Sequence, residues 1–420
     1  MKADFDLAKA LRFVAVFGLT YILSQFLRTS NAVLAPVLTA ELALDPTDLG
    51  VLTGAFFLAF GAVQIPVGIM LDRIGPRRVV ALALSLAVAG TLVFATAEGL
   101  AGLILGRVLM GLGCAPTLMG AYVVFARWFP ADRFATLSGM QLGIGYTGML
   151  LATAPLAMAV SAIGWRWSMA AAAVWGAFFA LVIYLLVRDA PPGHSLETRA
   201  PESLGRALAG VRQIIRDRRF WRLLPLQSVG YGATASILML WAGPYLAQVQ
   251  GLDGAARGNL LFLMGVGAIL GVMAFAPLDR LFNTRKGVVL AGSLASLGVM
   301  AALALVAHPS LLLVGGLFVL LAALGGYIAV LMSHIRMLFP DHLVGRGLTV
   351  ANMCSMGGVA LMQMATGAIL SRFDSAAQTD GQAYRAVFLF LAVVLALAVA
   401  AYSRSDDIRP FSPAAGGDGQ

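Results

Sequence analysis

The chain has 420 residues, of which 60% are apolar and only 12% charged, with a mean hydropathy of +0.87. A soluble domain carries about a quarter charged residues, so this composition excludes an ordinary water-soluble globule. A formal charge of +9 invites a nucleic-acid reading, but the cations fall in short loops between long apolar blocks, where they carry orientation and not a binding face.

Each apolar block has the ~20 residues that a bilayer core of about 30 Å demands of a helix, too many for barrel strands of about 10. The chain is therefore expected to be an all-α membrane protein of twelve spans in two pseudo-symmetric six-helix bundles. The first eleven residues are too polar for a cleavable signal, so residues 12–38 form an uncleaved first span. That span carries Tyr21, Ser24, Gln25, Arg28 and Asn31 on one helical face. An arginine on such a stripe is an anion clamp, because its planar fork matches carboxylate or phosphate. The rival reading has Arg28 snorkelling to the outer headgroups, which needs no polar stripe.

Further spans are expected at 48–70, 78–97, 100–126, 135–161 and 166–188, completing an N-terminal bundle over 1–188. Gly68, Asp72, Arg73, Gly75, Arg77 and Arg78 stand together after the second span, and Arg107 with Gly111 and Gly113 marks the fourth. Residues 189–220 hold Pro191, Pro192, Gly193 and a basic run, and read as a cytoplasmic linker with an amphipathic helix near 203–217.

A second bundle, 221–403, follows with spans at 221–248, 258–279, 287–307, 311–338, 347–371 and 384–403. Its seventh span aligns Gln227, Tyr231, Thr234 and Trp241 on one face, and its eleventh aligns Asn352, Ser355, Gln363 and Thr366. Tyr231, Trp241, Asn352 and Gln363 are thus candidate solute contacts beside Arg28, Gln25 and Asn31, with Tyr122, Gln141, Tyr146 and Tyr327 as softer ones. The competing account of each is an interhelical hydrogen bond, about 0.6 kcal/mol on average in membranes. The tail, 404–420, is polar and expected to be disordered.

The two halves repeat one pattern. Asp72-Arg73 with Arg77-Arg78 recurs as Asp279-Arg280 with Arg285-Lys286, and Phe129-Pro130 recurs as Phe339-Pro340. These loops, with Arg107-x-x-x-Gly111-x-Gly113, resemble the diagnostic motifs of the major facilitator superfamily over essentially the whole chain. Phe275 stands where the second copy would have glycine. The resemblance implies a secondary transporter whose halves rock about a central cavity. In it the loop residues, Arg107, Asp279 and Arg280 serve conformational change, Asp72 as a state-dependent latch. The first span is similar to organophosphate:phosphate exchangers and organic-anion symporters, in which a helix-one arginine meets the anion. The exchangers pair it with an arginine in helix seven. Ser236 stands there instead, so a monoanionic carboxylate is expected over a phosphate ester.

Absences sharpen this. No Asp or Glu falls inside a span beyond the loop motifs, which argues against a membrane carboxylate relay or cation partner. His334 is the one histidine in a span and is expected at the interface. Cys114 and Cys354 read as buried thiols without a disulfide. Eighteen methionines, with Met353-Cys354-x-Met356 and Met110-x-x-x-Cys114, keep a copper carrier as an alternative. A neutral-metabolite carrier and a transporter-like receptor are the others. No catalytic constellation, cofactor motif or metal-ligand spacing is present, so no enzyme is expected. The expected partners are a small solute, a coupling ion where one is used, and the lipid bilayer, with no nucleic acid and a monomeric state. Four of the 29 Lys and Arg fall outside (Arg166, Arg257, Arg372, Arg385), Arg28 and Arg107 lie in spans, and the rest are cytoplasmic. By the positive-inside rule both termini lie in the cytoplasm, in an inner (plasma) membrane.

Overall fold

A computed structural model describes residues 7–129, 131–190, 212–339, 341–374, 376 and 380–408. Every regular element among the described residues is helical. The first half comprises α1 (Leu7–Thr29), α2 (Asn31–Leu42), α3 (Pro46–Ala62), α4 (Gln64–Arg73), α5 (Pro76–Ala95), α6 (Leu100–Cys114), α7 (Pro116–Trp128), α8 (Ala131–Leu151) and α9 (Ala154–Leu186). The second comprises α10 (Arg218–Ser236), a π-helical turn (Ile237–Trp241), α11 (Ala242–Gln248), α12 (Gly254–Phe275), α13 (Leu278–Leu281), α14 (Arg285–Leu305), α15 (Leu311–Leu324), α16 (Tyr327–Arg336), α17 (Asp341–Leu370) and α18 (Gln382–Ser403).

Local chemistry sets the breaks. Asp45 and Asp48 form a reciprocal capping box at the start of α3. Pro46, Pro76 and Pro116 open α3, α5 and α7, where a missing N–H costs nothing. Asp217, Asp253, Thr284 and Ser310 cap α10, α12, α14 and α15 through their side chains. Gly164 leaves helical geometry at φ 79°, bending the 33-residue α9 into two segments.

By length and composition, ten described helices can cross a membrane, or eleven when Pro46–Ala62 and Gln64–Leu71, bent by 43°, count as one span. Twelve were expected. The span expected at 135–161 is divided between α8 and the first turns of α9, because Pro155 cannot donate to the α8 ladder. The polar Ser138, Gln141, Tyr146 and Thr147 also dilute α8. Most of the expected linker and tail (191–211 and 409–420) lies outside the described residues. So does the amphipathic helix near 203–217, apart from the helical residues 212–216.

The halves meet through α3 on α17, α8 and α9 on α12, and α2 on α11. Gly243 of α11 lies so close to the Ala32 carbonyl that a Cβ would overlap it. By contrast α7 and α16, at the end that bears the basic loops, pack within their own halves. Tyr122, Tyr146, Tyr231 and Asn352 are only half-buried there, although they lie mid-bundle. The bundle is thus sealed at the end of Glu41 and open toward the basic loops. Glu41 helps hold the sealed end, accepting from the Trp165 indole at 2.5 Å and pairing with Arg166.

Candidate functional site

The polar stripe of α1 meets the aromatic face of α3. Arg28 is 7% exposed, its guanidinium lies over the Phe60 ring at 4.7 Å, and its Nε has no hydrogen-bond partner. Arg107 of α6 is fully buried, lies over Phe56 at 4.9 Å, and donates from Nη1 to the Leu27 carbonyl at 2.7 Å. Phe56 and Phe60 stack one turn apart with centroids 6.2 Å apart, so the two cations flank one aromatic column. A desolvated cation–π contact offers about 2 kcal/mol, against several kcal/mol lost when an ion leaves water. Neither arginine has a carboxylate partner among the described residues, so both remain electrostatically undersatisfied.

Cys114, fully buried on α6, lies within electrostatic range of both guanidiniums. That field repels a metal cation, which leaves the Met110–Cys114 copper reading without physical support. Cys354 lies on α17 as a second free thiol.

Around Arg28 stand tyrosines from both halves. Tyr21 is close enough to interact with Arg28, Tyr122, Tyr146 and Tyr231, and Tyr146 with Arg28 and Tyr231. Tyr231, on α10, is the residue through which the second half joins this group. The amides differ in what they have left to offer. Gln25 has an unpartnered Oε1, and buried Gln141 and Gln363 have no partner at either amide atom. Asn352 is half-buried on α17, one turn from Ser355, which accepts from Gln227 at 2.9 Å. Asn31 donates to the Thr53 hydroxyl at 2.6 Å, tying α2 to α3, though its Oδ1 stays unpartnered. Trp241 is fully buried and its indole donates to Thr366 at 2.7 Å.

The loop motif is built from parts the sequence did not single out. Gly75 has φ +95°, a conformation that favours glycine. The turn delivers the Arg77 N–H to Asp189 Oδ1 at 2.7 Å, while Arg77 Nε donates to the Tyr184 carbonyl at 2.6 Å. In the second half the Lys286 N–H donates to Asp407 Oδ1 at 3.0 Å and the Thr284 hydroxyl to Oδ2 at 2.6 Å. In each half, then, an aspartate after the sixth helix anchors the start of the third. Burial pushes the Asp407 carboxyl up, but the Thr284 hydroxyl and the N–H groups of Lys286 and Arg285 outweigh it and hold Asp407 below the usual range. Asp279 accepts from Arg285 at 3.3 Å. Arg73, Arg78 and Arg280 are exposed, and a Cβ on Gly68 would meet nothing within 4 Å. The Asp72 side chain lies outside the described residues.

His334 is fully buried between α16 and α18 and shares a 2.8 Å hydrogen bond with the Tyr402 hydroxyl, at the end of the bundle that bears the basic loops, beside Asp407 and Lys286. The phenylalanine column and the two aspartate anchors were missed. Phenylalanine in a span carries no signal beyond hydrophobicity. Asp189 and Asp407 stand in matching places after the sixth helix of each half, and that repetition was the available clue.

A model of the Major Facilitator Superfamily matches residues 17–286 and 229–416. A "Probable L-galactonate transporter" of Escherichia coli is 27% identical over 265 residues, 58% of this chain and 56% of that protein. A "Probable sulfoacetate transporter" of Cupriavidus necator is 25% identical over 253 residues, 57% of this chain and 58% of that one. Each match thus spans little more than half of the relative's length. Among solved structures, an inward-facing, unoccupied bacterial homolog of the human lysosomal transporter Spinster superposes with TM-score 0.75 at 19% identity. That superposition covers 95% of this chain and 97% of the other.

Proposed function

We propose, starting from the premise that this chain belongs to the major facilitator superfamily, that it carries a small organic anion across a membrane by alternating access, with Arg28 holding a negative group of the solute. The observation that carries this reading is the buried Arg28 guanidinium, which has no carboxylate partner among the described residues and stands among neutral phenols and amides and a second cation, Arg107. A cation or a dication finds no counter-charge there, and a neutral solute would leave the guanidinium uncompensated. Tyr231, Gln25, Gln363 and Asn352 supply neutral donors and acceptors for the remainder of the solute. Asn31 and Trp241, whose nitrogens already donate, contribute shape and, for Asn31, one acceptor. Both relatives named above carry an anionic group on their named solute, a carboxylate in one and a sulfonate with a carboxylate in the other.

The experiment is a thermal-shift panel on purified protein with L-galactonate, sulfoacetate and uncharged galactose. A ligand bound to the folded state stabilises it by mass action, about 2.7 kcal/mol at a hundred times Kd. At least one of the two anions is expected to raise the unfolding midpoint, and galactose is not. Stabilisation by galactose alone would point to the neutral-metabolite carrier instead.

We place both termini in the cytoplasm of a plasma membrane, on the strength of the basic loops that share the open end with residues 73–78 and 404. Reporter fusions at Gly193 and in the tail should read cytoplasmic and one near Asp45 external. A cytoplasmic Asp45 overturns the orientation.

A further inference from the structure

Resting on the anion reading of Arg28, we propose that this carrier is an exchanger: an anion must fill the Arg28 site for the halves to move in either direction, and no proton travels with it.

What could neutralise Arg28 when the site is empty decides whether the empty carrier can close. On α1 the neighbours of Arg28 include Gln25 and Tyr21, and across it α3 presents Phe60. From α6 come a second cation, Arg107, and the thiol Cys114. The remaining elements, α7, α8 and α10, present the phenols Tyr122, Tyr146 and Tyr231. None of these is an anion at neutral pH. The full sequence places every aspartate and glutamate outside the spans or in the loop motifs, so no internal carboxylate stands in for the missing charge. His334, the histidine that lies in a span, is committed to Tyr402 away from this group.

An empty site of this kind resists closure. In the arrangement described, the site is open toward the basic loops, where water and mobile anions can screen Arg28. Bringing α7 and α16 together would remove that screening and leave an unpaired guanidinium in a low-dielectric interior. A bound carboxylate or sulfonate supplies the charge, so the loaded carrier can close and the empty one is held back. Binding then shifts the population of states as well as filling the site. One anion enters for each like anion that leaves, so charge balances without a proton or a metal ion. A carboxylate beside the arginines would change this, because it would neutralise the empty site and take up a proton when an anion displaced it.

The test uses purified full-length chain in proteoliposomes and whichever of radiolabelled L-galactonate or sulfoacetate stabilises the protein in the thermal-shift panel. Uptake into vesicles preloaded with the same unlabelled anion is expected to be at least tenfold faster than into buffer-loaded vesicles. An inside-alkaline pH gradient is expected to leave both rates unchanged. Cys114→Asp, which puts a carboxylate within electrostatic range of both guanidiniums, is expected to raise uptake into unloaded vesicles toward the loaded rate. Equal rates in wild-type loaded and unloaded vesicles, or accumulation driven by the pH gradient, would overturn the exchange mechanism while leaving anion binding intact. A monodisperse Cys114→Asp protein with an unchanged loaded-to-unloaded ratio counts against the charge argument. Should that variant aggregate, the wild-type comparison decides alone. If neither anion binds, the reading of Arg28 falls and this inference with it.

Discussion

Arg28→Ala is expected to abolish anion-induced stabilisation while the protein remains folded and monodisperse. The guanidinium makes no ion pair among the described residues, its Nε has no partner, and it rests on Phe60, so truncation removes no hydrogen bond or ion pair of the described bundle. What it removes is the countercharge of the solute. Deleting one member of a buried charge pair costs about 2–5 kcal/mol of binding, a loss of roughly 30-fold or more in affinity. The alanine variant is even expected to gain thermal stability without ligand, since the undersatisfied ion is gone. Arg28→Lys distinguishes a fork from a point charge. An ammonium keeps the charge but loses the planar donors and most of the stacking on Phe60, so affinity should fall nearly as far. Isothermal titration in detergent reads both variants. Wild-type affinity in Arg28→Ala would end the anion-clamp reading.

Much of this was legible in the sequence because a membrane imposes strict rules. Block length, the basic loops and the repeated Asp-Arg pairs pointed to a duplicated helical bundle. The stripe on α1 was legible for the same reason, since a cation and amides at helical spacing in an apolar segment must face inward. The individual partners of those residues were not legible. Asn31 meets Thr53 across two helices and Trp241 meets Thr366 across 125 residues of sequence, and such pairings depend on where helices cross. The break in the expected fifth span was also hidden, because 135–161 is apolar enough to look continuous while Pro155 divides it. Arg107 was ambiguous from sequence and is resolved in placement by packing: it is fully buried over Phe56 and bonded to α1, an anchor that also adds positive field near Arg28.

The loop motif shows most directly how identical residues differ once folded, and it yields the second large effect. Gly68 and Gly75 stand seven residues apart in one loop motif of the sequence. Gly75→Ala is expected to lower the unfolding midpoint by on the order of 5 °C and to suppress transport. Three losses coincide there. A side chain at φ +95° is strained, at about 1–3 kcal/mol. Its Cβ would lie 2.6 Å from the Asp189 carboxylate and push it away. The Arg77 N–H then loses a charged acceptor at 2.7 Å, a bond type that contributes about 1.5–3 kcal/mol. Displacing Asp189 also loosens the tie between the end of the sixth helix and the start of the third. Gly68→Ala meets nothing within 4 Å and sits in an ordinary helix, so it should retain wild-type stability and flux. Asp189→Asn separates strain from charge, because it keeps the backbone of Gly75 relaxed and weakens only the cap. Its midpoint should fall between wild type and Gly75→Ala. Matched thermal unfolding of the three variants settles the point, and equal behaviour of the two glycine variants would mean that the turn and its aspartate anchor do not act as a unit.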